Sequence, residues 1–176
     1  MSVNEWSDAT AMAEAVRNKT VSPPELVKDT ISEAEKTNTK INAIVSQRYE
    51  KALEEAETRD FSDKPFAGVP IFLKDLGQEQ AGEPSTAGSR LFTSYRAKET
   101  DNYVKKLEEL GFIILGRSST PEFGFKNISD AQIHGPVNLP DDVRRNAGGS
   151  SGGAAAIVSS GISPLAPASD GGVSIR

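Results

Sequence analysis

Two glycine-rich stretches of this 176-residue chain carry serines in settings where a hydroxyl could do chemistry: GGSSGG at 148–153 and DGGVSIR at 170–176. Ser150 and Ser174 stand 24 positions apart. A serine becomes a nucleophile only when a base takes its proton. The one histidine, His134, lies in the polar stretch AQIHGPVN with no partner in view, and reads as an ordinary loop residue. A Ser-His-Asp triad therefore lacks its base. Two G-x-S-x-G windows fit within 148–153, but the elbow of that pattern needs a later histidine, and none follows residue 134. A phosphate-binding loop fails as well, because Gly153 is followed by Ala154 and Ala155 rather than by Lys and Ser or Thr. Two readings stay open for the first stretch. It can be a tight turn, or it can present the free N–H groups of a helix start to an anion or a developing oxyanion.

Without histidine, a lysine can serve as base if its amine is neutral, and burial favours that form. Lys74 is the candidate: in GVPIFLKDLG, four of the five residues before it are apolar (Val69, Ile71, Phe72, Leu73). A lysine ending a buried strand is unusual, since charged lysines are rarely buried unpaired. A salt bridge to Asp75 accounts for it equally well. There is no cysteine, which removes disulfides, thiolate zinc sites and cysteine nucleophiles and fits a cytoplasmic protein.

The elements that must position these groups follow from pattern. Apolar residues make up 36% and charged residues 26%, a balance that predicts a folded chain. The net charge is -5 without long blocks of one sign, which argues against nucleic acid as a partner. No apolar run is long enough for a transmembrane helix, and the N-terminus has early acids and no basic segment, unlike a secretory signal. The first 60 residues read as helices: one over roughly 8–18, one opened by Ser22, Pro23 and Glu25 as a capping box, and one over roughly 47–58. Leu26, Val27, Ile31 and Ala34 share one face of the second. From about 65, PFAGVPIFLKDLG predicts a buried strand, DNYVKKLEEL (101–110) a helix capped by Asp101, and FIILG (112–116) another buried strand. Residues 117–147 are loop-rich, 152–161 predict a small-residue helix, and ISPLAPAS a short strand or extended segment. Helix then strand points to an α/β class, with N-terminal helices (1–60) followed by part of a mixed sheet covered by helices (61–176).

Together these stretches resemble the amidase signature family of serine hydrolases. GGSSGGAAAIVSSGISPLAPASDGGVSIR resembles its long glycine-serine block, GVPIFLKDL its lysine segment, and KLEELGFIILGRSSTPEFG the stretch between; INAIVSQRYEKALEEA also fits. The resemblance implies roles. Lys74 would be the base, Ser150 a bridging serine held after a cis peptide bond, and Ser174 the nucleophile. The 24-residue spacing matches the family and selects Ser150 over Ser151, which would be supporting. The N–H groups of Gly171, Gly172, Val173 and Ser174 would hold the oxyanion. Asp170 and Arg176 would hold the nucleophile's loop. No metal and no organic cofactor are implied.

Three departures stand beside it. Val173 occupies a position where the family has glycine, and a β-branched residue resists positive φ and adds bulk beside the nucleophile. Arg117 replaces a common lysine and reads as peripheral. Family members run to several hundred residues, so the expectation is an N-terminal portion, truncated after the nucleophile motif. The expected function is hydrolysis of a small-molecule amide through a Ser-cisSer-Lys relay, similar to the hydrolases of 6-aminohexanoate cyclic dimers. The alternatives are an inactive truncated homologue and the glutaminase-type subunit of a tRNA-dependent amidotransferase. Neither nucleic acid nor membrane is expected as a partner; the partner would be a second copy or the missing C-terminal part of the same protein.

Overall fold

A computed structural model describes residues 8–175; Arg176, expected to support the nucleophile's loop, lies outside them. Helix α1 (Ala9–Arg17) starts where Asp8 accepts from the Ala11 N–H at 2.8 Å. Helix α2 (Pro23–Ile41) starts at the expected capping box: Glu25 N–H donates to Ser22 Oγ, and Ser22 N–H donates to Glu25 Oε2 at 2.8 Å. It ends at Asn42 in the left-handed region (φ 52°). The side chain of Asn38 then shapes the exit, its Oδ1 accepting from the N–H groups of both Ala43 and Ile44 at 2.8 Å.

That exit leads into a strand that the helical reading of the first 60 residues misses. β1 (Ile44–Gln47) precedes α3 (Tyr49–Thr58), so the expected helix from 47 begins two residues later. Four residues are too few for alternation to signal a strand; pairing with a partner far along the chain makes it one. β2 (Pro70–Lys74) and β3 (Ile113–Ser118) are buried along their whole length, as their apolar runs predict. Helix α4 (Asn102–Glu109) joins them as a parallel crossover, and the order is β1-β3-β2 with β1 antiparallel to β3. Asp101 stands at the N-cap position of α4 but makes no side-chain cap; its carboxylate accepts instead from the Glu79 N–H at 2.7 Å, tying the helix start to the chain after β2. ISPLAPAS forms no strand; Ser163 Oγ donates to Pro70 O of β2 at 2.9 Å.

The sheet separates two apolar clusters. Ile71, Leu73 and Ile114 pack with Met12 of α1 and with Val104 and Leu107 of α4. Phe72, Ile113 and Leu115 pack with residues of α2, α3 and α5 (Gly152–Ser159), among them Val27, Ala52 and Ile157. Each fully buried Leu, Ile or Phe stabilises by about 1.5–3 kcal/mol. In β2 and β3 alternate side chains thus face alternate clusters, while the pairing between the two strands shifts register between Ile71 and Phe72. Gly116 sits at this bulge with φ 155°, and a Cβ there would lie 2.0 Å from Ser46 O. Beyond the bulge Leu73 pairs with Arg117 and Lys74 with Ser118.

Candidate active site

Lys74 ends β2 with 0% of its surface exposed. Its amine does not turn to Asp75. That carboxylate, 1% exposed, accepts from Thr86 N–H at 2.9 Å and from Thr86 Oγ1, with His134 Nε2 3.9 Å away. The ion-pair reading of Lys74 is therefore set aside. Lys74 Nζ instead meets four oxygens: Ser150 Oγ at 2.9 Å, and Ser151 Oγ, Ser169 O and Ser169 Oγ each at 3.1 Å. An ammonium has three donors, so not all four contacts are donated at once. Burial pushes the Lys74 pKa down to about 8, and the Asp170 carboxylate pulls it partly back. The backbone at Lys74 is held on both sides. Its N–H donates to Gln78 Oε1 at 2.8 Å, and its carbonyl accepts from Arg117 Nη1 at 3.1 Å.

The serines arrive from the other end of the chain. Gly149–Ser150 is a cis peptide. Ser150 and Ser151 lie at the start of α5, whose cap position, Ser151, makes no side-chain cap. The Ser151 hydroxyl donates instead to Ser169 O at 3.1 Å. The surrounding glycines serve close packing. A Cβ on Gly153 would lie 2.4 Å from Ser119 N, one on Gly152 2.6 Å from Ser129 Oγ, and one on Gly149 2.8 Å from the Ile128 carbonyl carbon. Asn146 anchors the approach, accepting from Gly148 N–H at 2.9 Å and donating to Ser129 O at 2.9 Å.

Ser174 completes the group: Ser150 Oγ donates to Ser174 Oγ at 2.9 Å, and Ser151 Oγ stands 2.6 Å from the same atom. The structure thus brings Lys74, Ser150, Ser151 and Ser174 together. Asp170 spans the terminal loop, its Oδ2 accepting from Ile175 N–H at 3.1 Å. Gly171, Gly172 and Val173 are exposed at the mouth of a cleft of about 430 Å³ that also reaches Lys74 and Ser150. Val173 is not at positive φ, so its backbone there requires no glycine. Val173, 58% exposed, lines the cleft together with Leu76, Phe123 and Phe125.

His134 is half-buried beside Thr86, Nε2 to Oγ1 3.2 Å, its pKa pushed down by burial and pulled back by Asp75. It is not part of the lysine-serine group. Sequence reasoning missed Ser169, whose contact with Lys74 spans 95 residues, and Gln78. It also took Arg117 as peripheral, whereas Arg117 is 2% exposed and bonded to Lys74. The six-residue LKDLGQ context gives no pattern for such a backbone grip; the one available signal was an arginine directly after the apolar run FIILG. Among the described residues no helix is long and apolar enough to cross a membrane.

The family model Amidase matches residues 25–176. A lipoamidase of Enterococcus faecalis is 41% identical over 174 residues, 98% of this chain and 24% of that one. A 6-aminohexanoate-cyclic-dimer hydrolase of Paenarthrobacter ureafaciens is 37% identical over 176 residues, 99% of this chain and 35% of that one. A solved structure of 6-aminohexanoate cyclic dimer hydrolase superposes with TM-score 0.88 at 36% identity, covering 94% of this chain and 34% of the other. The chain spans between a quarter and about a third of the length of these relatives.

Proposed function

The chain belongs to the amidase family, and from that premise we propose that it carries the proton relay of an amide hydrolase, with Lys74 as base, Ser150 as bridge and Ser174 as nucleophile. The observation that carries this reading is the unbroken line from the buried Lys74 Nζ to Ser150 Oγ to Ser174 Oγ, 2.9 Å at each step.

With Lys74 protonated, donation runs outward from the amine to Ser150 and on to Ser174. Loss of the lysine's proton reverses both bonds. Ser150 then donates to the amine's lone pair and Ser174 donates to Ser150. In that state Ser174 Oγ attacks the amide carbonyl carbon while its proton passes to Ser150 and Ser150's proton to Lys74. The carbonyl oxygen becomes an oxyanion facing the N–H groups of Gly171, Gly172, Val173 and Ser174; one such donor is worth about 3 kcal/mol. Collapse breaks the carbon-nitrogen bond, and Lys74 returns a proton through Ser150 to the departing amine. Water attacks the resulting acyl ester by the same route, releasing the acid and restoring Ser174. Ser151 supports the group without relaying, because its proton is engaged by Ser169 O. Asp170 holds the loop.

The substrate class is a small-molecule amide, linear or cyclic; the relatives named for the 6-aminohexanoate cyclic dimer support the cyclic case. The reading keeps the cytoplasmic location and the division into residues 1–60 and 61–176 expected from the sequence. Its test is hydrolysis of a panel of aliphatic, aryl and cyclic amides by the full chain and by Lys74→Ala and Ser174→Ala. Both substitutions abolish turnover; substantial hydrolysis surviving them sinks the proposal.

A further inference from the structure

We propose that Arg117 is a positioning residue for the lysine-serine group, acting with Gln78 to fix the backbone from which Lys74 projects. The inference rests on the reading of Lys74 as the base.

The bulge at Gly116 makes the arrangement possible. Before it, Ile71 pairs with Ile114, and both face the α1–α4 cluster. Unshifted, that register would pair Lys74 with Arg117 and set two cations side by side. The shift pairs Arg117 with Leu73 instead. By strand alternation Arg117 then takes Leu73's face, opposite to Lys74's. From there its Nη1 donates to Lys74 O at 3.1 Å and to Gln78 O at 2.9 Å. Gln78 Oε1 accepts from Lys74 N–H at 2.8 Å, so the turn from 74 to 78 closes on itself with Arg117 as its pin. The guanidinium is 2% exposed, and its other terminal nitrogen, Nη2, is buried with no hydrogen-bond partner among the described residues. Burial works against its charge and the carboxylates of Asp75, Glu79, Glu83 and Asp101 favour it; the other nitrogen makes two hydrogen bonds. Both are to the turn that carries Lys74.

The grip matters because the strand ends at Lys74. Past it, the next ladder bond is Asp75 N–H to Ser118 O at 3.0 Å, and the side chain of Asp75 already turns away toward Thr86. Freed from Arg117, the strand end can shift, letting water reach the amine and lengthening the step to Ser150. Misplacement of about 1 Å costs roughly 100-fold in rate.

The test uses Arg117→Met, Arg117→Lys and Gln78→Met in the full chain, with Lys74→Ala as control. Three quantities are read: the Lys74 titration by NMR, kcat and KM for amide hydrolysis, and thermal unfolding. In Arg117→Met the Lys74 titration moves up toward the ordinary lysine value and kcat falls roughly 100-fold with KM little changed. Arg117→Lys restores both to near the parent, because a single nitrogen makes both bonds. Gln78→Met shifts the titration in the same direction with the guanidinium still present, which separates positioning from simple loss of a nearby charge; it also decides the matter if Arg117→Met does not fold. A folded Arg117→Met or Gln78→Met with the parent's Lys74 titration and kcat overturns the proposal, as does a loss confined to KM. Hydrolysis surviving in Lys74→Ala is a different result: it defeats the relay itself.

Discussion

A lysine works as a base only while it stays dry, and the same dryness bears on stability. Lys74 titrates near 8 when folded against 10.5 for an unperturbed lysine. Between those values the unfolded chain binds the proton and the folded chain does not, so stability from this group rises with pH from about 8 to about 10.5. Below 8 both states are charged, and the fold bears the full cost of burying an ammonium, on the order of 3 kcal/mol. Lys74→Met removes that cost. Its unfolding temperature should exceed the parent's at pH 7, and the gap should narrow as pH rises past 8; a gap constant with pH means that Lys74 is not the titrating group. The acid limb of kcat/KM should fall in the same region. At this scale the sequence was legible where the signal was local. An apolar run marked Lys74 as buried, and the resemblance to the amidase signature family, whose spacing Ser150 and Ser174 match, paired the two serines. It could not choose between serine and Asp75 as the lysine's partner, because that depends on which way a strand end turns. The choice between the two adjacent serines also has a test. Ser151 is as near to both neighbours as Ser150, but its proton goes to Ser169 O. Ser150→Ala should lower kcat by roughly 100-fold or more, and Ser151→Ala much less; equal losses would move the relay to Ser151.

Elements carry these groups, and their tolerances differ along one glycine-rich chain. Gly153 packs against the backbone of Ser119, so Gly153→Ala should destabilise by about 1–3 kcal/mol. Gly171 has open space where a Cβ would stand, so Gly171→Ala should change stability by less than about 0.5 kcal/mol. Chemical denaturation of the two variants checks the contrast; equal stabilities would mean that the close approach to Ser119 does not set the cost. Element by element, the helices were readable from caps and periodicity: Ser22, Pro23 and Glu25 start α2 as their order predicts. Asp101 has the right type and place for a cap, yet a backbone N–H 22 residues away takes its carboxylate. β1 was missed for the same kind of reason. Its hydrogen bonds go to β3, more than 60 residues on, and nothing within Ile44–Gln47 announces that partner.

Across the molecule, two apolar clusters flank a three-stranded sheet, while several large apolar side chains stay at the surface. Phe125 is 88% exposed, Ile175 61% and Val173 58%, and Phe125 and Val173 line the cleft. Phe123, left-handed at φ 53°, packs its ring against those of Phe92 and Phe125. An apolar rim of this kind binds hydrophobic dyes and favours association. The chain should bind anilinonaphthalene sulfonate in its folded state, and Phe125→Ser should reduce the signal without lowering the unfolding temperature; undiminished binding would locate the apolar surface elsewhere. The α/β class was legible from the alternation of helix and apolar strand. The sheet order was not, since β1 joins by a pairing that runs backward over the sequence.

The separation of 76 positions from Lys74 to Ser150 also sets an order in time. β2 leaves the ribosome with an ordinary lysine at its end, charged and hydrated. Its strand partner, β3, begins only at Ile113, and the oxygens that surround the amine arrive later still. A nascent chain that has formed the sheet but not yet seated α5 and Ser169 holds the residue without the base. Basicity here is a property of the assembled site, and it comes into being only when α5 and Ser169 dock.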